Sequence, residues 1–125
     1  MKAKILIVDD SSLSRRTLRQ SLEALGHAVD DASDGAQALE RFFLNPPDLV
    51  ILDMVMTGMY GLEVLAKMQE INPKIPVIIA TADVQKSTAE QVRAAGAKGL
   101  LNKPVNREQL AAALTAVLGG GDIWT

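Results

Sequence analysis

Four stretches of this 125-residue chain end in side chains that can hold or transfer a charged group. Asp9 and Asp10 follow the apolar run Ile5–Val8, Asp53 follows Leu49–Leu52, and Thr81 follows Val77–Ala80. Lys103-Pro104 comes just after the shorter run Lys98–Leu101. Singly, each has an ordinary structural reading: loop acids beside a helix N-terminus, a strand end, a helix cap and a turn. Together they bring three carboxylates, one hydroxyl and one amine to the ends of four apolar runs. Carboxylates packed together repel, and an intervening cation removes that repulsion. Oxygen ligands without histidine or thiolate suit a hard ion, so Mg²⁺ is favoured over Zn²⁺. One divalent ion and Lys103 balance the formal charge of the three acids. Such a site can accept a phosphoryl group. The metal and lysine neutralise its oxygens, Thr81 donates a hydrogen bond, and one carboxylate attacks phosphorus.

These side chains act together only if one scaffold brings the run ends to a common edge. Ile5–Val8, Leu49–Leu52 and Val77–Ala80 are continuous apolar runs, as in strands buried on both faces. Ala28–Ala32, broken by Asp30 and Asp31, and Lys98–Leu101, opening on a charge, read as edge strands. Helical stretches lie between them. Ser11 or Ser12 can cap the first, whose Leu18, Leu22 and Leu25 share a face before Gly26. The second holds Leu39, Phe42 and Phe43 and stops before Pro46-Pro47. The third carries Leu62, Leu65 and Met68 and meets Asn72-Pro73. The fourth, Gln85–Ala95, is poor in large apolar residues and closes at Gly96. The fifth has Leu110, Leu114, Val117 and Leu118, followed by Gly119-Gly120-Gly121. Five strand–helix units predict a single doubly wound (βα)5 domain of the α/β class, with helices on both faces of a parallel sheet. Three apolar central strands and two weaker edges fit the order 2-1-3-4-5 already known from flavodoxin-like folds. In such sheets ligands bind at the carboxyl ends of the strands, where the four chemical groups fall.

Composition bounds the rest. The chain suits one domain, and 48% apolar with 22% charged residues argues against disorder. A net charge of -2 gives no whole-protein attraction to nucleic acid or to an anionic membrane surface. The absence of cysteine excludes disulfides, thiolate metal sites and thiol nucleophiles. A lone histidine, His27, argues against a Ser-His triad. The N-terminal stretch has too few apolar residues for a signal peptide or a membrane span, so a cytoplasmic location is expected.

The pieces ILIVDD, VILDMVM, ATAD and GLLNKP stand in the order and approximate spacing of response-regulator receiver domains. The sequence resembles that family of two-component signalling over essentially residues 3–118. The resemblance implies that Asp53 is the phosphoacceptor, and that Asp9, Asp10 and Asp53 hold Mg²⁺ with the backbone carbonyl of Val55. It makes Thr81 the switch hydroxyl, Lys103 the phosphate-pairing amine and the Lys103-Pro104 bond cis. The implied partner is a histidine kinase or phosphotransfer protein, and phosphorylation would alter the surface of the fourth helix, fifth strand and fifth helix. The domain would then be a signalling switch and not an enzyme, beyond its own phosphoryl transfer and slow dephosphorylation. Residues 1–118 form the expected receiver, with 119–125 a flexible Gly-rich tail. Within these 125 residues no helix-turn-helix or catalytic output domain is expected after the fifth helix, which suits a single-domain regulator, a relay intermediate or a piece of a larger protein. The output partner is not legible.

Two other functions are weaker. An aspartyl-phosphate phosphatase would carry a second acid two residues after the nucleophile, where Val55 stands. A receiver-like scaffold that is never phosphorylated would not need the intact residue set. No G-x-G-x-x-G follows the first strand, which removes support for dinucleotide binding.

Three positions depart from the family pattern. Leu100 stands where most receivers have an aromatic switch residue, so a leucine rotamer change would replace a ring flip. Thr57 and Tyr60 replace a usual proline and acid, and with Gly58 and Gly61 predict a mobile loop after Asp53. Elsewhere, His27 reads as a surface residue, Glu90 and Arg93 as the solvated face of the fourth helix, and Trp124 as part of a disordered tail.

Overall fold

The computed structural model describes residues 2–54, 60–82 and 85–124. Among them, strands β1 (Lys4–Val8), β2 (Ala28–Ala32), β3 (Leu49–Leu52), β4 (Val77–Thr81) and β5 (Gly99–Asn102) alternate with helices. These are α1 (Ser12–Ala24), α2 (Gly35–Leu44), α3 (Gly61–Ile71), α4 (Lys86–Ala94) and α5 (Arg107–Leu118). All strand pairs are parallel, in the order β2-β1-β3-β4-β5. The α/β class and the strand order match the expectation from the apolar runs.

Side chains alternate across a strand, so each central strand feeds two cores. Ile5, Ile7, Ile51 and Ile78 pack with Leu18 and Leu22 of α1 and Leu110 and Leu114 of α5. Leu6, Val50, Leu52 and Ile79 point the other way, onto Phe42 of α2, Leu65 and Met68 of α3 and Val92 of α4. Each fully buried aliphatic or aromatic side chain contributes roughly 1.5–3 kcal/mol. The strand ends that carry the chemical groups therefore rest on a rigid platform. At the β2 edge the two acids split by face. Asp31 pairs with Arg19 of α1 at 2.8 Å, and Asp30 pairs with Arg41 of α2 at 3.1 Å.

Local signals set the helix ends. Ser11 is the N-cap of α1 and accepts from the Ser14 N–H at 3.2 Å. Asp34 caps α2 by accepting from the Gln37 N–H at 2.8 Å. In α4 only Thr88 and Val92 are buried, in keeping with its poverty in large apolar residues. Phe43 of α2 is 67% exposed, because Ala38 and Phe42 fill the inner face of the helix.

His27 is not a bare surface residue: it is half-buried, and its Nδ1 accepts from the Ala3 N–H at 3.0 Å beside the start of β1. The Gly-rich tail is docked as far as Trp124. Gly120 has φ 97, and the N–H groups of Gly120 and Gly121 reach back to Val117 O and Ala116 O. The left-handed glycine thus ends α5 in a paired-bond cap and turns the chain back toward the sheet. The Ile123 N–H then donates to Lys98 O at 2.9 Å, and Trp124 Nε1 donates to Ala97 O at 2.8 Å. Arg93, read as simply solvated, stacks its guanidinium 5.5 Å from the Trp124 ring centroid.

Candidate functional site

Strands β1, β3, β4 and β5 hand their functional residues to the same rim of the sheet. Asp9 leaves β1 with its N–H bonded to Ala32 O of β2, and Asp53 leaves β3 with its N–H bonded to Val8 O of β1. Thr81 ends β4 opposite Asn102 of β5, and its carbonyl accepts from the Lys103 N–H at 3.0 Å. The Lys103-Pro104 peptide bond is cis, as the resemblance implies.

The side chains converge. Asp9, Asp10 and Asp53 each offer a carboxylate oxygen, and these three atoms lie within 4.8 Å of one another. Lys103 Nζ contacts Asp9 Oδ2 and stands 3.4 Å from Asp53 Oδ2, so one ammonium bridges two of the three acids. Asp9 is 1% exposed, and a buried carboxylate is tolerated only when paired and hydrogen-bonded. Its Oδ2 faces Lys103, while its Oδ1 accepts from the Ser11 N–H at 2.9 Å at the start of α1. Asp10 is exposed at the mouth and Asp53 lies between these extremes. Thr81 is buried at the end of β4.

An oxygen-only set within that span fits a small hard cation, since opposite oxygens of a Mg²⁺ shell stand about 4.2 Å apart. The residues present therefore fit the implied metal. Val55, whose carbonyl is the expected fourth protein ligand, lies outside the described residues, as do Thr57 and Gly58 of the loop after Asp53. Leu100 is not at this rim. It sits half-buried two positions before Asn102 in β5, packed toward the α2–α4 side of the sheet.

Two groups escaped the sequence reading. Arg15, one turn into α1, donates from Nη1 to Asp9 O at 2.7 Å and fixes the backbone that carries Asp9. The Ser11 N–H was legible only as part of a cap, although a helix start directly after two acids is where a backbone donor meets a carboxylate. Gly61 has a different function from the one expected. A Cβ there would stand 2.6 Å from Asp53 O and from Met54 Cα, and its N–H donates to Met54 O at 2.8 Å. The glycine allows α3 to start hard against the end of β3. We expect Gly61→Ala to lower stability by about 1–3 kcal/mol, the usual range for overpacking. A thermal unfolding midpoint equal to wild type would contradict this close approach.

Residues 5–115 match the family model described as the response regulator receiver domain. The chain belongs to that family. The receiver is 38% identical over 120 residues to the response regulator MprA of Mycobacterium sp. (strain KMS), covering 94% of this chain and 51% of that protein. It thus spans about half the length of the curated relatives it matches. Among solved structures, it is similar to the chemotaxis protein CheY4 of Vibrio cholerae, with 31% identity and a TM-score of 0.86, covering 92% of this chain and 98% of that one. A LuxR-family two-component response regulator from Aurantimonas sp. SI85-9A1 shares 27% identity and a TM-score of 0.92, with coverage of 98% and 89%. Receivers are the signalling domains of response regulators. Among the described residues, no helix of the receiver is long and apolar enough to cross a membrane.

Proposed function

We propose that residues 1–118 form a phosphorylation-dependent switch, with Asp53 as acceptor for a phosphoryl group from a histidine kinase or phosphotransfer protein. The observation that carries this reading is the placement of Lys103 Nζ between Asp9 and Asp53 beside a three-carboxylate cluster. An Asp53 carboxylate oxygen attacks the phosphorus of a phosphohistidine. The new O–P bond forms as the P–N bond breaks, and the imidazole nitrogen leaves with the bonding pair. Asp53 then carries an acyl phosphate.

Asp9, Asp10 and Asp53, with the Val55 carbonyl, are the ligands we assign to Mg²⁺. When bound, the ion offsets the negative charge of the phosphoryl oxygens. Lys103 supplies a second positive charge, tethered through its backbone to the end of β4. The Thr81 hydroxyl donates to a phosphoryl oxygen, and this draws the end of β4 toward Asp53. Leu100 changes rotamer into the space this leaves, and α4, anchored by few buried side chains, shifts with it. The altered α4–β5–α5 surface is the output. A cytoplasmic setting goes with this reading.

Metal binding has a direct consequence for stability. Mg²⁺ relieves carboxylate repulsion only where folding has gathered the three acids, so it binds the native state selectively. At ten times its Kd it adds about 1.4 kcal/mol, which is a rise of roughly 5 °C in Tm. A Tm unmoved through a millimolar titration would contradict the assigned ligand set.

The switch is tested by incubating the chain with a small phosphodonor and Mg²⁺, then measuring intact mass and amide hydrogen exchange. One phosphoryl adduct with altered protection across residues 85–104 is the expected result. No adduct would remove Asp53 as acceptor. An adduct with unaltered exchange there would move the output to another surface.

A further inference from the structure

The edge of β5 is already occupied. Residues 122–124 lie against its start, with Ile123 N–H bonded to Lys98 O and the Trp124 N–H held by Asp122 Oδ1 at 3.2 Å. Successive side chains go to opposite faces of the sheet, as those of a strand do. Ile123 packs on the α1–α5 side with Leu101, and Trp124 packs on the α2–α4 side with Leu100. The seat is shaped for this segment. A Cβ on Gly99 would lie 1.9 Å from Ile123 Cγ1, so the absence of a side chain at position 99 makes the space that Ile123 fills. On the other face the Trp124 ring is fixed by its hydrogen bond to Ala97 O and by the Arg93 guanidinium.

The seat also continues beyond its occupant. A shallow groove of about 390 Å³ runs on from Ile123 along Leu100, Leu101, Asn102, Gln109 and Ala113. An exposed edge strand offers unpaired backbone groups, and an extended segment that pairs with them is a common mode of peptide recognition. The segment seated here specifies the chemistry such a peptide needs: an aliphatic side chain for the Gly99 notch, then an aromatic one for the Ala97–Arg93 shelf.

We propose that residues 122–124 are a removable cover on the β5 edge, the intramolecular occupant of a strip that takes an extended partner segment bearing an aliphatic and then an aromatic residue. The cover begins just beyond the Gly119–Gly121 cap, whose N–H groups are bonded to α5 carbonyls, so residues 122–124 can leave without disturbing the helix. It competes with any partner as a tethered ligand, at an effective concentration on the millimolar scale. This inference concerns the β5 edge alone and does not depend on phosphoryl chemistry at Asp53.

The test uses the full chain and a dye-labelled peptide with the sequence of residues 119–125, followed by fluorescence anisotropy. Ile123→Asp empties the notch and leaves the seat intact. If the cover is docked about nine-tenths of the time, the peptide binds the variant about tenfold more tightly than wild type. Equal affinity for the two proteins, or no binding to the variant, would overturn the proposal. Trp124→Ala, which removes the ring but spares the notch, serves if Ile123→Asp does not fold, and the same preference is expected of it. Trp124 is the single tryptophan, so acrylamide quenching reads the docked state directly. Quenching several-fold weaker than that of free tryptophan is expected in wild type, and quenching equal to the free amino acid would overturn the proposal.

Discussion

Asp53→Asn is expected to abolish phosphoryl uptake from a small phosphodonor while leaving the fold in place. The amide has nearly the shape of the carboxylate but no anionic oxygen to attack phosphorus. It also removes one of three mutually repelling charges from the rim, while Lys103 keeps its contact with Asp9. The variant should therefore unfold within about 1 kcal/mol of wild type, as most substitutions without a packing defect do. Intact mass after incubation with phosphodonor and Mg²⁺, with a thermal melt alongside, checks both halves. A phosphoryl group acquired by the Asp53→Asn protein on another carboxylate would reassign the acceptor.

Lys103→Met carries the second large effect, and it acts in two directions. Lys103 Nζ pairs with Asp9 and Asp53 at once, and Asp9 is almost wholly buried. Removing one partner of a buried ion pair strands the other. The Lys103 side chain keeps 20% exposure, which lets water soften the loss. A destabilisation of roughly 2–4 kcal/mol in Mg²⁺-free buffer is expected. Mg²⁺ should then bind more tightly to the variant, by about tenfold, because the ammonium that competes for the same carboxylates is gone. Stability measured across a Mg²⁺ titration for both proteins shows the crossing. Identical Tm without metal and identical Mg²⁺ affinity would mean that Lys103 does not share these charges.

Much of the platform was legible because its causes are local. The runs through β1, β3 and β4 contain no polar residue to place in water, so they must be covered on both faces, and only a central position does that. Asp30 and Asp31 mark β2 as an edge for the same reason reversed, since each needs an arginine from a neighbouring helix. With the strand order known, the rim position of Asp9, Asp10, Asp53, Thr81 and Lys103 follows from the direction of the strands.

The parts that were not legible depend on distant partners. Nothing near Arg15 in sequence indicates that its guanidinium reaches the carbonyl of Asp9. Glycines 119–121 read as slack because composition does not separate a flexible glycine from one used at positive φ. Gly120 is of the second kind, and its turn brings Ile123 to a notch made by Gly99, more than twenty residues earlier. Gly61 was misread similarly: its lack of a side chain admits the backbone of Asp53 and Met54, which is a packing requirement and not slack. His27 accepts a bond from Ala3 across the sheet's lower edge, a contact visible only once β1 and β2 pair.

The central claim is that the phosphoryl group resides on the Asp53 carboxylate, and one measurement addresses the bond itself. Borohydride reduces an aspartyl phosphate to homoserine and leaves free carboxylates untouched. The wild-type chain, treated with phosphodonor and Mg²⁺, then reduced, digested and sequenced by mass spectrometry, is predicted to carry homoserine at position 53 and aspartate at positions 9 and 10. Homoserine at position 9 or 10, or aspartate retained at all three after a phosphoryl mass has been seen, would contradict the account.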